Sequence, residues 1–192
     1  MAAKAPAVQS ARERLLAAAN ELFYEEGVHT VGIDRVIERA GVAKASLYNV
    51  FGSKDELIRA YLARRHERRR ARITAALERY TTPRERLLGV FDVLGEALME
   101  PGFRGCAFVN ASAESQPGSG VEQVSDEMRA WVRSLFTDLA AAAGAPDPAG
   151  LAAQLVLLYD GASVGARMDR NPGTAAAART VAAALIAAAI DG

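Results

Sequence analysis

Apolar residues recur at helical spacing from one end of this chain to the other, and strand-like alternation is nearly absent. Ser10-x-x-Glu13 is a capping box. It opens a segment with Leu15, Leu16, Ala19, Leu22 and Phe23 on one side, which Gly27 ends. Ile33, Val36, Ile37 and Ala40 fall at i, i+3, i+4 and i+7 and give a second helix one apolar stripe. Gly41 then supplies the left-handed conformation that closes a helix without a Cβ clash. A short third helix follows, with Val42 and Leu47 facing the core. Ser53-x-x-Glu56 is a second capping box, and neither Gly nor Pro interrupts the chain from there to Thr82. That predicts a helix of up to about 28 residues, ~40 Å long. Thr82-Pro83-x-Glu85 is a third box with proline at the first helical position, and its helix carries Leu87, Leu88, Phe91, Leu94 and Leu98 before Pro101-Gly102.

The second half continues in the same way. A short helix is predicted within 105–114, a flexible loop over Ser115–Gly120, and a helix over 121–143 with Val124, Met128, Trp131, Val132, Leu135, Phe136 and Leu139 in register. Asp147-Pro148 opens a helix to 169, Asn171-Pro172-Gly173 breaks it, and Thr174 is expected to cap an Ala-rich helix to 190. The fold class is therefore all-α, with nine helices.

The helix-turn-helix is the segment with chemistry. Lys44, Ser46, Tyr48 and Asn49 are left on the outer face of the third helix. A short helix showing donors, an aromatic hydroxyl and a cation is what a DNA major groove accepts. The bare pattern also fits an ordinary αα-corner with a solvated face. Charge favours the DNA reading. The chain is formally neutral, but residues 1–72 hold 14 Lys+Arg against 9 Asp+Glu, and the remainder holds the reverse. A polyanion partner at the N-terminal end fits that asymmetry.

The N-terminal part resembles the TetR family of transcriptional regulators. The resemblance rests on Leu16–Gly27 (LxxAxxLFxxxG), the Ala40–Val42 turn, and Ser46–Leu57, where Leu47-Tyr48, Phe51 and Lys54 stand at the family's spacing. Residues 1–9, MAAKAPAVQ, read as a disordered tail; the resemblance implies a DNA-binding domain over 10–56 with its helix-turn-helix at about 32–51, and a ligand-binding and dimerisation domain over 57–192. Expected DNA contacts are Gly32, Lys44, Ala45, Ser46, Tyr48, Asn49 and Lys54. Tyr48 reaches a phosphate with its hydroxyl. Lys54 sits in the first turn of the long helix, where the dipole disfavours a cation, and so suggests a phosphate partner. Lys44, Ala45 and Ser46 are placed to meet base edges, and Asn49 an adenine or a phosphate. Two positions depart from the family pattern. Val31-Gly32 stands where a Thr or Ser usually precedes the second helix, which leaves phosphate contact there to backbone N–H groups. Ala45 replaces a frequent Gly and offers a methyl to thymine. Arg35 and Arg39 are read as a solvated helix face.

For the larger domain the resemblance implies a small-molecule pocket and a homodimer through about 148–190. Phe91, Leu94, Leu98, Phe108, Met128, Trp131, Leu135 and Tyr159 supply apolar walls, and Asn110 and Tyr159 polar handles. Small residues at Ala152, Ala153, Gly161, Ala162, Gly165 and Ala166, followed by many Ala, let helices pack closely across a two-fold axis. The partners expected are double-stranded operator DNA, a small-molecule effector and a second copy. The leading reading is a repressor released from a palindromic operator by an apolar or aromatic effector. A constitutive dimeric DNA binder, or an all-α enzyme or carrier, are the alternatives.

Several classes are disfavoured. No Ser–His–Asp set or Gly-rich phosphate loop stands out, so catalysis lacks candidates. One cysteine, Cys106, excludes an internal disulfide and suits a cytoplasmic setting. It is read as a small buried hydrophobe. Two histidines, His29 and His66, give no metal spacing, and no cofactor is expected. The first residues lack a signal-peptide core, and no apolar run approaches a membrane span, so no membrane partner is expected. The arginine-rich run Ala63–Arg72 is read as meeting acidic groups of the larger domain rather than DNA.

Overall fold

The computed structural model describes residues 9–116, 118–171 and 173–192. Residues 1–8 of the expected tail lie outside the described residues, as do Pro117 and Pro172 of two expected loops. Among the described residues there are nine helices and no strand. They are α1 (Ala11–Glu26), α2 (Ile33–Ala40), α3 (Lys44–Phe51), α4 (Lys54–Leu77), α5 (Pro83–Leu98), α6 (Ala107–Glu114), α7 (Gly120–Ala142), α8 (Pro148–Asp169) and α9 (Thr174–Ile190).

The capping chemistry holds in detail at two of three boxes. Ser10 and Glu13, and Thr82 and Glu85, each make both reciprocal bonds. At Ser53 the box is half made. The hydroxyl accepts from the Glu56 N–H at 3.1 Å, but Glu56 turns its carboxylate to Arg59 instead. Thr174 is not a cap. It is the first helical residue, Gly173 precedes it, and its hydroxyl donates back to the Asn171 carbonyl.

α4 ends at Leu77, sooner than the absence of Gly and Pro predicts. Tyr80 supplies the reason. Its hydroxyl donates to Asp92 at 3.0 Å, and its ring lies so close to Gly89 that a Cβ there would stand 2.5 Å from it. Swinging the ring onto α5 requires the chain to leave the helix first. Arg179 of α9 joins the same carboxylate at 2.7 Å, so Asp92 ties three segments together.

α1 packs on α2, α3 and α4, while α4 also contacts α5 and α7, and α7, α8, α5 and α9 pack in turn. The buried stripe of α4 runs through both groups. Leu57, Ile58, Tyr61 and Leu62 lie under α1 and α3, and Ile73 and Leu77 lie further along. Phe91, Phe136 and Tyr159 form an aromatic cluster with centroids 5.8–6.3 Å apart. One element departs from the expectation set by apolar run length. α8 is long and apolar enough to cross a membrane, and only 39% of its most apolar window is buried. Its Ala and Gly residues hide this in a run-based reading, because they are interleaved with polar ones.

His66 is buried on α4 between the Phe108 and Trp131 rings, and its Nδ1 has no partner. Burial holds its pKa below the ordinary imidazole range, and the Arg70 and Arg69 cations add to the shift. The unfolded chain therefore takes up this proton more readily than the folded one. The stability involved is present above about pH 6.5 and is lost as pH falls through the lower folded pKa. The melting temperature is expected to fall between pH 7.5 and pH 5, and His66→Leu to flatten part of that fall. Parallel curves for the two proteins would remove the buried imidazole as its source.

Candidate nucleic-acid interface and interior cavity

The turn between α2 and α3 is closed by two backbone bonds. Gly41 sits in the left-handed region at φ 61°, its N–H donates to Glu38, and the Val42 N–H reaches back to Ile37. Val42 and Ile37 both pack, half-buried, against the core. Arg14 of α1 pins the turn from outside, its Nη2 donating to the Gly41 carbonyl at 2.6 Å. Arg35 and Arg39 form paired bonds with Glu26 and Glu21. They clamp α2 against α1 rather than standing free.

On α3, Leu47 is fully buried and fixes the roll of the helix. Lys44, Ala45, Tyr48 and Asn49 are exposed, and Ser46 is half-buried. Lys44 is not free. Its ammonium donates to Asp34 of α2 at 2.8 Å in a pair that is largely in solvent, and that bond raises its pKa. Gly32 is the exposed N-cap of α2 and offers no side-chain oxygen to the first-turn N–H groups. Lys54 is half-buried in the first turn of α4, 3.5 Å from the His29 carbonyl. Burial lowers its pKa, while Asp55 and Glu114 act in the opposite direction.

A cavity of about 560 Å³ lies between α4, α6, α7 and α8. Its size is within the usual range for small-molecule sites. Of the expected lining residues it brings together Phe108, Met128 and Tyr159. Phe91 and Leu94 are core residues behind it, and Leu98 borders a separate small cleft near Phe103 and Arg167. Trp131 and Leu135 are half-buried on α7, Trp131 against His66 and Arg70. Asn110 points away, its amide donating to the Arg104 carbonyl. Cys106 is half-buried at the cavity wall rather than sealed in the core.

The cavity is more polar than expected. Arg69, Ser112, Ser125, Arg129, Asp160 and Ser163 line it. Arg129 and Asp160 pair with each other, and the Ser112 and Ser125 hydroxyls lie 3.2 Å apart. Arg69 was hidden in the arginine-rich run. Among the described residues, only Arg72 of that run meets an acidic group beyond α4, Glu100 in the chain after α5. Arg65 stacks on Tyr24 and bonds Asn20 of α1. The overlooked signal is register. Leu62, His66, Arg69 and Ile73 fall at i, i+4, i+7 and i+11, so Arg69 lies half-buried on the face of α4 that carries its buried stripe.

α6, one wall of the cavity, is tied at both ends to the first two helices. At its entrance the Tyr24 hydroxyl accepts from the Arg104 N–H at 2.9 Å and donates to the Gly105 carbonyl at 3.0 Å. At its end the Glu114 carboxylate accepts from the His29 N–H at 2.9 Å, in the loop that leads into α2.

Residues 15–61 match the family described as bacterial regulatory proteins, tetR family. Among curated proteins, the chain is 42% identical over 76 residues to the HTH-type transcriptional activator FasR of Mycolicibacterium smegmatis, covering 40% of this chain and 35% of that protein. It is 34% identical over 70 residues to the HTH-type transcriptional regulator UidR of Escherichia coli, covering 36% of each. These matches thus span about a third of the curated relatives' length. Across nearly the whole chain, the structure is similar to that of SCO4454, a TetR-family transcriptional regulator from Streptomyces coelicolor. The TM-score is 0.88 and the identity 35%, over 93% of this chain and 95% of that one.

The bare N-cap at Gly32 is correctable. Its φ is −75°, and a Cβ there meets nothing within 4 Å. Gly32→Ser is expected to stabilise the protein by a few tenths of a kcal/mol, the usual difference between these residues at an N-cap. Denaturant unfolding measures this, and a loss of stability would contradict the open geometry.

Proposed function

Because the chain belongs to the TetR family of bacterial transcriptional regulators, we propose that it is a homodimeric repressor that leaves a palindromic operator when a small molecule fills the cavity. The observation that carries this reading is the shared use of α4. The helix that begins at Lys54 also presents Arg69 to the cavity. α6 lines the cavity and holds the α1–α2 loop through Glu114. A ligand that fits one arrangement of these helices better than another shifts the population of the first three helices with it. A regulator acting on chromosomal DNA works in the cytoplasm.

Gly32, Lys44, Ala45, Ser46, Tyr48, Asn49 and Lys54 carry the DNA contacts in this reading. The exposure of Gly32, Lys44, Ala45, Tyr48 and Asn49 at the N-cap of α2 and on α3 supports it, with Ser46 and Lys54 half-buried beside them. Tyr48 and Lys54 take phosphates, and Lys44, Ala45 and Ser46 face base edges. Dimerisation is supported by two outward stripes. On α8, Leu157, Gly161, Val164 and Met168 recur at helical spacing, with Leu157 and Met168 each 75% exposed. On α9, Ala177, Val181, Ala184 and Ala188 do the same. Of the small residues first considered, Ala152, Ala162 and Ala166 are buried within the protomer, whereas Ala153 and Gly161 face outward. A two-fold pairing of these stripes sets two recognition helices about 34–36 Å apart, or a multiple of that, one per half-site. It also accounts for the apolar surface of α8 without a membrane. A constitutive DNA binder is the competing outcome, and a ligand that releases DNA distinguishes the two.

The operator is obtained by selecting genomic fragments that the protein binds. On that operator and on scrambled duplex, Tyr48→Phe and Lys54→Ala are expected to weaken binding alike, since phosphate contacts carry no sequence information. Lys54→Ala also lowers the salt slope by about one unit. Changes at Lys44 or Ser46 instead alter which bases are preferred, by about 1–3 kcal/mol for a well-made contact. Unchanged affinities for both duplexes in the Tyr48 and Lys54 variants would overturn these assignments.

Leu157→Glu and Gly161→Glu are expected to give folded monomers that lose affinity for the palindrome. A Cβ at Gly161 meets nothing within 4 Å inside the protomer, so the fold has room for the change. Sedimentation at micromolar concentration reads the result, and an intact wild-type monomer would refute the dimer.

A further inference from the structure

We propose that the cavity takes a small carboxylate with an apolar alkyl or aryl body, and that Arg69 and Tyr159 hold its charged end. This rests on the effector reading above and names the ligand's chemical class. Arg69 stands on the buried stripe of α4, between two soft sulfurs and a ring. Its Nη1 is 3.5 Å from Met128 Sδ, its Nη2 is 3.7 Å from Cys106 Sγ, and its guanidinium carbon is 5.5 Å from the Phe108 centroid. Thioether and thiol are weak acceptors, so most of its five donors lack a strong partner. No carboxylate among the described residues forms an ion pair with it. An arginine cannot shed its proton to escape this situation, as a lysine can.

Tyr159 is the second donor. It is 7% exposed, lines the same cavity, and its hydroxyl has no hydrogen-bond partner among the described residues. Burial raises its pKa, so the phenol is neutral and able to donate. A guanidinium fork and a neutral hydroxyl facing one cavity suit a planar anion with two oxygens. The acids around the cavity do not take that place. Asp160 is engaged by Arg129, Glu122 accepts from the Gly118 N–H, and Asp126 lies exposed. Phe108, Met128 and Val132 leave an apolar wall for the body of the ligand. The uncompensated cation also disfavours a purely apolar effector. Filling the cavity with hydrocarbon leaves the charge desolvated without a counter-ion, which is costly.

The test compares 3-phenylpropionate and octanoate with their neutral amides on the intact dimer, by calorimetry and thermal melting. The carboxylates are expected to bind at least about tenfold more tightly than the amides, in line with a charge-assisted hydrogen bond. Arg69→Gln removes this preference, Arg69→Lys keeps part of it, and Tyr159→Phe reduces it. Ligand-free Arg69→Gln is expected to melt no lower than wild type, since an unpaired cation has been removed; an arginine with a purely structural role predicts the opposite. The acid–amide comparison in wild type stands even if a variant fails to fold. Equal binding of acids and amides, or no binding of the acids at millimolar concentration, overturns the proposal. If carboxylates bind through Arg69 but leave the operator complex intact, the charge assignment holds and the release mechanism fails. If acids and amides release DNA equally, the release mechanism holds and the charge assignment is overturned.

Discussion

A single helix must satisfy two cores at once. α4 is 24 residues long, about 36 Å at 1.5 Å per residue, and one apolar stripe runs along it. Its first half closes the bottom of the α1–α3 unit with Leu57, Ile58, Tyr61 and Leu62, and its second half seats Ile73 and Leu77 among α5 and α7. Close-packed interiors do not deform continuously. A displacement at the Arg69 level therefore has to be taken up by a shift of the helix as a unit or by a break in its hydrogen-bond ladder. The sequence between Ser53 and Leu77 contains no Gly or Pro at which such a break would be easy.

The second connection is polar and local. Tyr24 grips the entrance of α6 by two hydrogen bonds, and Glu114 at its end holds the His29 N–H. Such bonds contribute only about 1 kcal/mol each in net terms, more where a charge takes part. That makes them suited to being exchanged in a transition, whereas the core contacts of α4 are suited to transmitting one. The two kinds of contact are thus complementary. One gives the first three helices a fixed lever, and the other gives their loop a releasable latch.

The fold was legible because local signals agreed with one another. Capping boxes at Ser10 and Thr82, the Gly41 turn and the fixed spacing of Leu47, Tyr48, Phe51 and Lys54 all point to the same elements. What escaped the sequence depends on contacts distant along the chain. The end of α4 is set by Tyr80 finding room over Gly89, which no local propensity records. The polar cavity is concealed because the arginine-rich run suggests pairing with acidic groups of the larger domain, whereas the register of Arg69 with Leu62 and Ile73 places it, half-buried, at the cavity. Residue type alone makes Asn110 a polar handle, whereas it satisfies a nearby loop carbonyl instead. The outward stripe of α8 was visible as small residues, but the large members, Leu157 and Met168, separate from the core set only when the roll of the helix is known.

The Lys44–Asp34 pair bears on how such a protein finds its site. A chromosome offers vastly more wrong positions than right ones, and a recognition surface of unmasked cations lingers at all of them. Here the cation at the start of α3, the proposed recognition helix, already has a carboxylate 2.8 Å away. Phosphate alone is a modest improvement on that partner, and drawing Lys44 away leaves the Asp34 charge facing a polyanion. Under the proposed role of Lys44, that pairing would shorten dwell times on arbitrary duplex and speed the scan along it. In that reading, a base edge that offers the lysine a better acceptor is what would turn passage into arrest.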